Sequence, residues 1–248
     1  MKTLLILLFN FLFVLIFSQT WEMPDTIKDE IILKHNNYIV SYNQRYKIPN
    51  YTIYILTRDK SENDSVKRTN NFISDPLLNK KIAIGPSEYI KSGYDKGHMT
   101  PADDMAFSLE SMKESFYMTN MCPQKPEFNR GIWKILENYI REICLQYDSV
   151  CIITGPIITD NMNTIGNNVG IPNHFFKVIY IYKLETSVGF FFENEKYTSQ
   201  KNIHPFVLMR QYQTTVDEIE ELSGLNFFIG LPKDKIQEVK FNKKLNLD

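Results

Sequence analysis

Asn129-Arg130-Gly131-Ile132-Trp133-Lys134-Ile135-Leu136-Glu137-Asn138-Tyr139-Ile140-Arg141-Glu142-Ile143-Cys144 is the stretch on which the architecture turns. Its apolar residues, Ile132, Ile135, Leu136, Tyr139, Ile140, Ile143 and Cys144, recur at three-and-four spacing and predict an amphipathic helix. An apolar stripe of that length needs a partner surface, and the flanking sequence supplies strands. Upstream, Tyr38 to Tyr42 and Tyr51 to Leu56 are rich in β-branched and aromatic residues, with Lys47-Ile48-Pro49-Asn50 between them as turn chemistry, so they read as a hairpin. Arg58 to Asn71 is polar and reads as a surface loop. Downstream, Val150 to Ile153, Phe175 to Tyr182 and Val188 to Phe192 read as strands, the first ending at Gly155-Pro156. Val216 to Leu222 reads as a late helix stopped by Gly224, Leu225 to Ile229 as a short buried strand, and the lysine-bearing tail after Pro232 as peripheral. The expected fold class is α+β, with a mixed, mainly antiparallel sheet core and packed helices.

The chain has 248 residues, 43% apolar, 23% charged and 13% aromatic, which suits one globular domain with a substantial core. Residues 1–19 carry one cation, Lys2, then apolar stretches from Leu4 to Leu8 and Phe11 to Phe17, and read as a secretory signal peptide preceding a domain over 20–248. The apolar region falls short of the ~20 residues that a spanning helix needs, and Asn10 interrupts it. A secreted protein, or one of an endomembrane or vacuolar lumen, is expected ahead of a mitochondrial one, with no stable membrane association after cleavage; no arginine precedes Arg45. Asn50-Tyr51-Thr52 and Asn63-Asp64-Ser65 match the glycosylation pattern. Cys122, Cys144 and Cys151 show no metal-ligand spacing and read as buried thiols, with a Cys144–Cys151 bridge left open. The formal charge of −1 excludes attraction of the whole molecule to a polyanion, so any nucleic-acid groove has to be locally basic. Oligomeric state is not legible; a homodimer stays open.

The chemistry concentrates in Tyr94-Asp95-Lys96-Gly97-His98. Imidazole is the common side chain that accepts a proton near neutral pH, which makes His98 the candidate general base. The amide of Asn129 and the carboxylate of Glu137 offer oxygen donors to a hydrated divalent cation, directly or through water. Asn129, Trp133, Glu137 and Arg141 recur every fourth position, a sloping stripe that can line a cleft. The plainer account makes Asn129 a helix cap, Trp133 a core residue, and Glu137 and Arg141 a solvated pair. Base and metal together suggest phosphodiester hydrolysis.

Several blocks in order resemble the DNA/RNA non-specific endonucleases, the group containing endonuclease G. The family's Asp-Arg-Gly-His signature is met by Asp95, Lys96, Gly97 and His98, continued by Met99-Thr100-Pro101-Ala102. Phe116-Tyr117-Met118-Thr119-Asn120 with Pro123-Gln124, Asn129 through Trp133 to Glu137, Ile152-Ile153-Thr154-Gly155-Pro156, and Pro172-Asn173-His174-Phe175-Phe176-Lys177-Val178 are similar to further family segments. The resemblance implies a ββα-metal finger that presents His98 as general base opposite Asn129, the ligand of a single Mg²⁺ (or Mn²⁺). It implies hydrolysis of DNA and RNA without sugar preference, leaving 5′-phosphates. Glu137 would order metal-bound waters, Asn120 would hold the histidine and cleft in register, Arg141 and Arg68 would steady phosphate charge, and Asp95 would position rather than ligate.

Lys96 departs from the family arginine. Lysine keeps the charge but loses the planar fork that grips phosphate oxygens, so a weakened phosphate grip is expected at this substrate-binding position. Two alternatives stay open: a catalytically silent, exported nucleic-acid-binding protein of the same fold, and a hydrolase of small phosphodiesters.

Overall fold

The computed structural model describes residues 21–198 and 203–241; the expected signal peptide, 1–19, lies outside the described residues. The strands are β1 (Ile31–Lys34), β2 (Ile39–Asn43), β3 (Ile48–Thr57), β4 (Asp95–His98), β5 (Met121–Gln124), β6 (Ser149–Pro156), β7 (Thr164–Ile165), β8 (Val169–Gly170), β9 (His174–Ile181), β10 (Thr186–Glu193) and β11 (Gln213–Thr214). The helices are α1 (Arg58–Glu62), α2 (Leu109–Ser115), α3 (Pro126–Phe128), α4 (Lys134–Tyr147), α5 (Pro205–Arg210), α6 (Val216–Ser223) and α7 (Lys233–Lys240), with a π-helical turn, Asn129–Trp133, joining α3 to α4. Seven strands form one sheet in the order β1-β2-β3-β6-β9-β10-β11, each adjacent pair antiparallel. Strand alternation divides its side chains between two apolar layers. Ile152, Phe175, Ile179 and Phe190 pack under Trp133, Leu136, Tyr139 and Ile143 of the turn and α4. Ile153, Phe176 and Val178 face the opposite way, beneath Val216, Ile219, Phe227 and Val239. The expected α+β class and the 38–56 hairpin are both present, as β2 and β3, but Ile48, Pro49 and Asn50 pair within β3 and the turn falls at residues 44–47 instead.

β6 includes Gly155 and ends at Pro156, where the sequence places its end. A Cβ on Gly155 would lie 2.4 Å from the Asn50 carbonyl oxygen and 2.8 Å from the Phe176 ring, so this glycine marks a close approach. Several expectations are corrected by packing that the local sequence does not display. Leu225 to Ile229 is not a strand: Phe228 takes a φ of 56°, which turns the chain while Leu225, Phe227 and Phe228 stay buried. The tail is not peripheral as far as Lys240, because α7 buries Val239, whose carbonyl accepts the Ser187 hydroxyl at 2.6 Å. The loop expected from Arg58 begins with α1, whose Thr57 side chain accepts from the Lys60 backbone amide. Asn50 is buried and donates to the Ser41 hydroxyl, so that glycosylation pattern is inaccessible in the folded chain. The three thiols are free and buried; Cys144 belongs to one apolar layer and Cys151 to the other, so the sheet separates them and no bridge forms.

Candidate active site

His98 sits in a strand, not on a turn. β4 pairs with β5 in the register Asp95↔Gln124, Gly97↔Cys122 and His98↔Met121, forming the two-stranded half of a ββα unit that α3, the π turn and α4 complete. The pairing is close at its centre, since a Cβ on Gly97 would fall 2.0 Å from the Gln124 Oε1 atom and would require that side chain to move. The alternation of the strand then separates two sets of contacts. Lys96 and His98 both meet Phe72, whereas Asp95 meets Asn129 and Arg130.

His98 is 7% exposed, with Phe72 at 5.6 Å between ring centroids and Phe116 edge-on at 4.9 Å. Burial, with the nearby Arg68 charge acting in the same direction, pushes its pKa down to about 3, so the ring is neutral at pH 7. Its buried Nε2 has no hydrogen-bond partner among the described residues. Arg68 lies over Phe116 at 5.2 Å, and its Nε donates to Asn70. Behind His98, the fully buried Asn120 accepts from the Thr100 amide at 2.8 Å and donates to the carbonyls of Thr100 and Ser115. Its side chain clamps the backbone beyond the histidine.

Asn129 opens the π turn, a distortion that recurs at functional sites. Its Nδ2 donates to Asp95 Oδ2 at 2.9 Å, and Arg130 grips the same carboxylate with two bonds of 2.8 and 2.6 Å. The amide nitrogen is thereby committed, which fixes the orientation of the group and leaves its carbonyl oxygen as the atom offered to a ligand. A cleft of about 460 Å³ brings His98, Asn129, Glu137 and Arg68 together, with Arg130, Lys134 and Asp103 on its walls. Burial raises the Glu137 pKa, opposed by the charges of Lys177 and Arg141.

Three sequence-predicted residues do not line this cleft. Asn120 is a clamp behind it, as described above. Arg141 is spent on Asp104, at 2.7 Å, and on Asp103 and Asn138, so its guanidinium is not held out to phosphate. The Lys96 ammonium lies over the rings of Phe72 and Tyr89 at 4.8 and 5.7 Å, away from the lining of the cleft. The four-apart stripe also breaks, because the π turn shifts the helical phase: Trp133 is fully buried, and Asn129 and Glu137 alone of the four line the cleft. Sequence reasoning missed Lys134 and Asp103 on the cleft wall, the Arg130 grip on Asp95, and the buried Lys177. Arg130 had a signal, being the cation next to Asn129; Lys177 had another, as the lone cation in an aromatic and aliphatic run.

Among the described residues no group of three or more His, Cys, Asp or Glu side chains could enclose an ion. One oriented amide oxygen and a carboxylate on the same cleft nonetheless fit a hard cation that keeps most of its own waters, as Mg²⁺ does, and suit a soft metal poorly.

Residues 22–234 match the family model described as DNA/RNA non-specific endonuclease. Nuclease 1, mitochondrial, of Schizosaccharomyces pombe is 31% identical over 86% of the chain and 70% of its own length. Nuclease EXOG, mitochondrial, of Homo sapiens is 28% identical over 80% of the chain and 57% of its own. The chain thus spans between 57% and 70% of these two proteins. The crystal structure of the EndoG/EndoGI complex, described as showing the mechanism of EndoG inhibition, contains a chain that superimposes with a TM-score of 0.73 at 27% identity, over 82% of this chain and 88% of that one. The mitochondrial names of these relatives overturn the expectation of a secreted or vacuolar protein and point to mitochondria. The physical reason is that one cation before an apolar run encodes affinity for a membrane without saying which membrane. Fold, site and kinship agree that the chain belongs to the DNA/RNA non-specific endonuclease family of hydrolytic nucleases.

Proposed function

We propose that this protein hydrolyses phosphodiester bonds in DNA and RNA with little sequence preference, in a metal-dependent reaction that leaves 5′-phosphates. The observation that carries the reading is the convergence of a neutral buried imidazole, an oriented amide oxygen and an arginine on one cleft. His98 accepts the proton of the attacking water as the new oxygen–phosphorus bond forms and the bond to the 3′ oxygen breaks, the departing oxygen taking its proton from solvent water. Arg68 binds the phosphate charge, and Lys134 draws the backbone into the cleft without reading bases, while Arg130 holds Asp95. Asn129 would hold Mg²⁺ or Mn²⁺ by its free oxygen, and Glu137 would order water by accepting hydrogen bonds. A cation bound there supplies Lewis-acid stabilisation of charge on the phosphate. Asp95 keeps the Asn129 oxygen outward, and Asn120 keeps His98 in register.

The silent-binder reading rested on Lys96 and on the lack of net positive charge. Lys96 is an aromatic-packed residue outside the cleft wall, and the cleft carries Arg68, Arg130 and Lys134 although the formal charge of the whole chain is −1. Purified protein is expected to degrade plasmid and RNA with Mg²⁺ or Mn²⁺, to stop on addition of chelator, and to lose about 10²- to 10⁴-fold in kcat as His98→Ala. Intact substrates across several divalent ions would sink the proposal.

A further inference from the structure

Lys177, in the middle of β9, is fully buried beneath the cleft. Its flanking same-face neighbours, Phe175 and Ile179, are core residues of the layer under α4. Lysine is among the side chains least often sealed from water, and a buried ammonium is costly unless its protons are engaged. The sheet register sets Lys177 beside Thr154 of β6. Its Nζ donates to the Thr154 hydroxyl at 2.9 Å and reaches the Met99 carbonyl at 3.4 Å. The third side of the ammonium is covered by the Trp133 ring, 4.7 Å from its centroid.

These contacts belong to both arms of the site. Met99 follows His98 directly, and Trp133 ends the π turn that Asn129 begins. Glu137, one turn further along α4, is the leading favourable charge on Lys177; Asp104 adds to it and Arg141 opposes it. Burial drives the lysine toward the neutral amine and Glu137 toward the neutral acid, and each charge restrains the other. A methionine of similar volume would fill the space, but would leave the Met99 carbonyl and Thr154 hydroxyl without this donor.

We propose that Lys177 is a positioning residue for phosphodiester cleavage: its ammonium ties the backbone beyond His98 to the Trp133 turn, fixing the separation of the base from the helix that carries Asn129. The inference rests on the function proposed above.

The test compares wild type with Lys177→Met, Lys177→Gln, Lys177→Arg, Glu137→Gln and the Lys177→Met/Glu137→Gln double variant, measuring kcat and KM on DNA with Mg²⁺ and thermal midpoints. Lys177→Met is expected to melt within a few degrees of wild type, to keep KM within about twofold, and to lose about 10- to 100-fold in kcat, with Lys177→Arg recovering part of the loss. The double variant should lose less than the product of the single losses, because the two side chains act as one unit. Wild-type kcat in a folded Lys177→Met, or multiplicative losses in the double variant, would overturn the inference. If Lys177→Met does not fold, Lys177→Gln serves in its place; failure of both to fold makes Lys177 a folding residue and overturns the inference as well. His98→Ala measured alongside separates the two ideas. Full activity in His98→Ala removes the proposed site and this inference with it, whereas an inactive His98→Ala beside a fully active Lys177→Met removes this inference alone.

Discussion

At the scale of single residues, the site depends on which atom of a bifunctional group is left available. Asn129 can present a donor or an acceptor, and Asp95 decides between them by accepting from Nδ2. Asp95→Ala is expected to release that choice and to unpair Arg130, raising the Mg²⁺ concentration needed for half-maximal cleavage by about 10- to 100-fold. A metal titration with KM for nucleic acid measured in parallel checks this; an unchanged titration would show that the carboxylate does not orient the amide. His98 carries a second expectation. Since burial and Arg68 hold its pKa at about 3, the acidic limb of the kcat/KM profile should lie below pH 5. A limb near the ordinary imidazole value of about 6.5 would mean that the free site is more hydrated than its geometry implies. The meeting of His98, Asn129 and Glu137 on one cleft was legible in sequence, because side-chain type and the spacing of neighbouring blocks both point to it. Arg141, Lys96 and Asn120 were not, because each is satisfied by residues distant in sequence or on another element: Asp104, Phe72 and Thr100.

At the scale of elements, the β4–β5 pair and the π turn place the chemistry. Gly97→Ala forces a methyl into the space of the Gln124 side chain and is expected to destabilise the protein by about 1–3 kcal/mol, read as a lower urea midpoint. Loss of activity at unchanged stability would show instead that Gln124 yields and His98 moves. α6 gives a milder contrast. Thr215 and Glu218 form a reciprocal cap at its start, so Thr215→Ala should cost about 1 kcal/mol of stability and leave cleavage intact. The α4 stripe and the Gly224 stop could be read in advance because helix periodicity and a left-handed terminal glycine are local signals. The π turn could not: it alters the phase of the very repeat used to find the helix, which is why Asn129 through Arg141 looked like one continuous wall. Phe228 was hidden for a related reason, since a positive φ in an apolar run leaves no compositional trace.

At the scale of the whole molecule, acid stability follows from groups whose native pKa lies below its unfolded value. Neutral His98 stays unprotonated in the folded state while the unfolded chain takes up a proton below about pH 6.5, so stability falls as pH drops from there toward about 3. For this one group the slope approaches about 1.4 kcal/mol per pH unit. Asp75 acts in the same direction at lower pH. Despite the opposing effect of burial, His35 at 3.0 Å and the Thr119 hydroxyl hold its carboxyl below the usual range, and its contribution is lost as pH falls from that range through the lower native value. In metal-free buffer, His98→Asn is expected to flatten the dependence of the urea midpoint on pH between about 6 and 4 relative to wild type. Parallel curves for the two proteins would place the acid sensitivity elsewhere. The layered α+β arrangement itself was legible, because apolar alternation and helix periodicity are summed over many residues; the order of the seven strands was not, because register depends on pairings between distant segments. The seclusion of the sulfur atoms has a last consequence. With Cys122, Cys144 and Cys151 each enclosed and uncoupled, and burial pushing every thiol upward, the native chain holds no covalent latch for glutathione to open and presents no thiolate for peroxide to attack, so reductant and mild oxidant should leave its melting curve where it was.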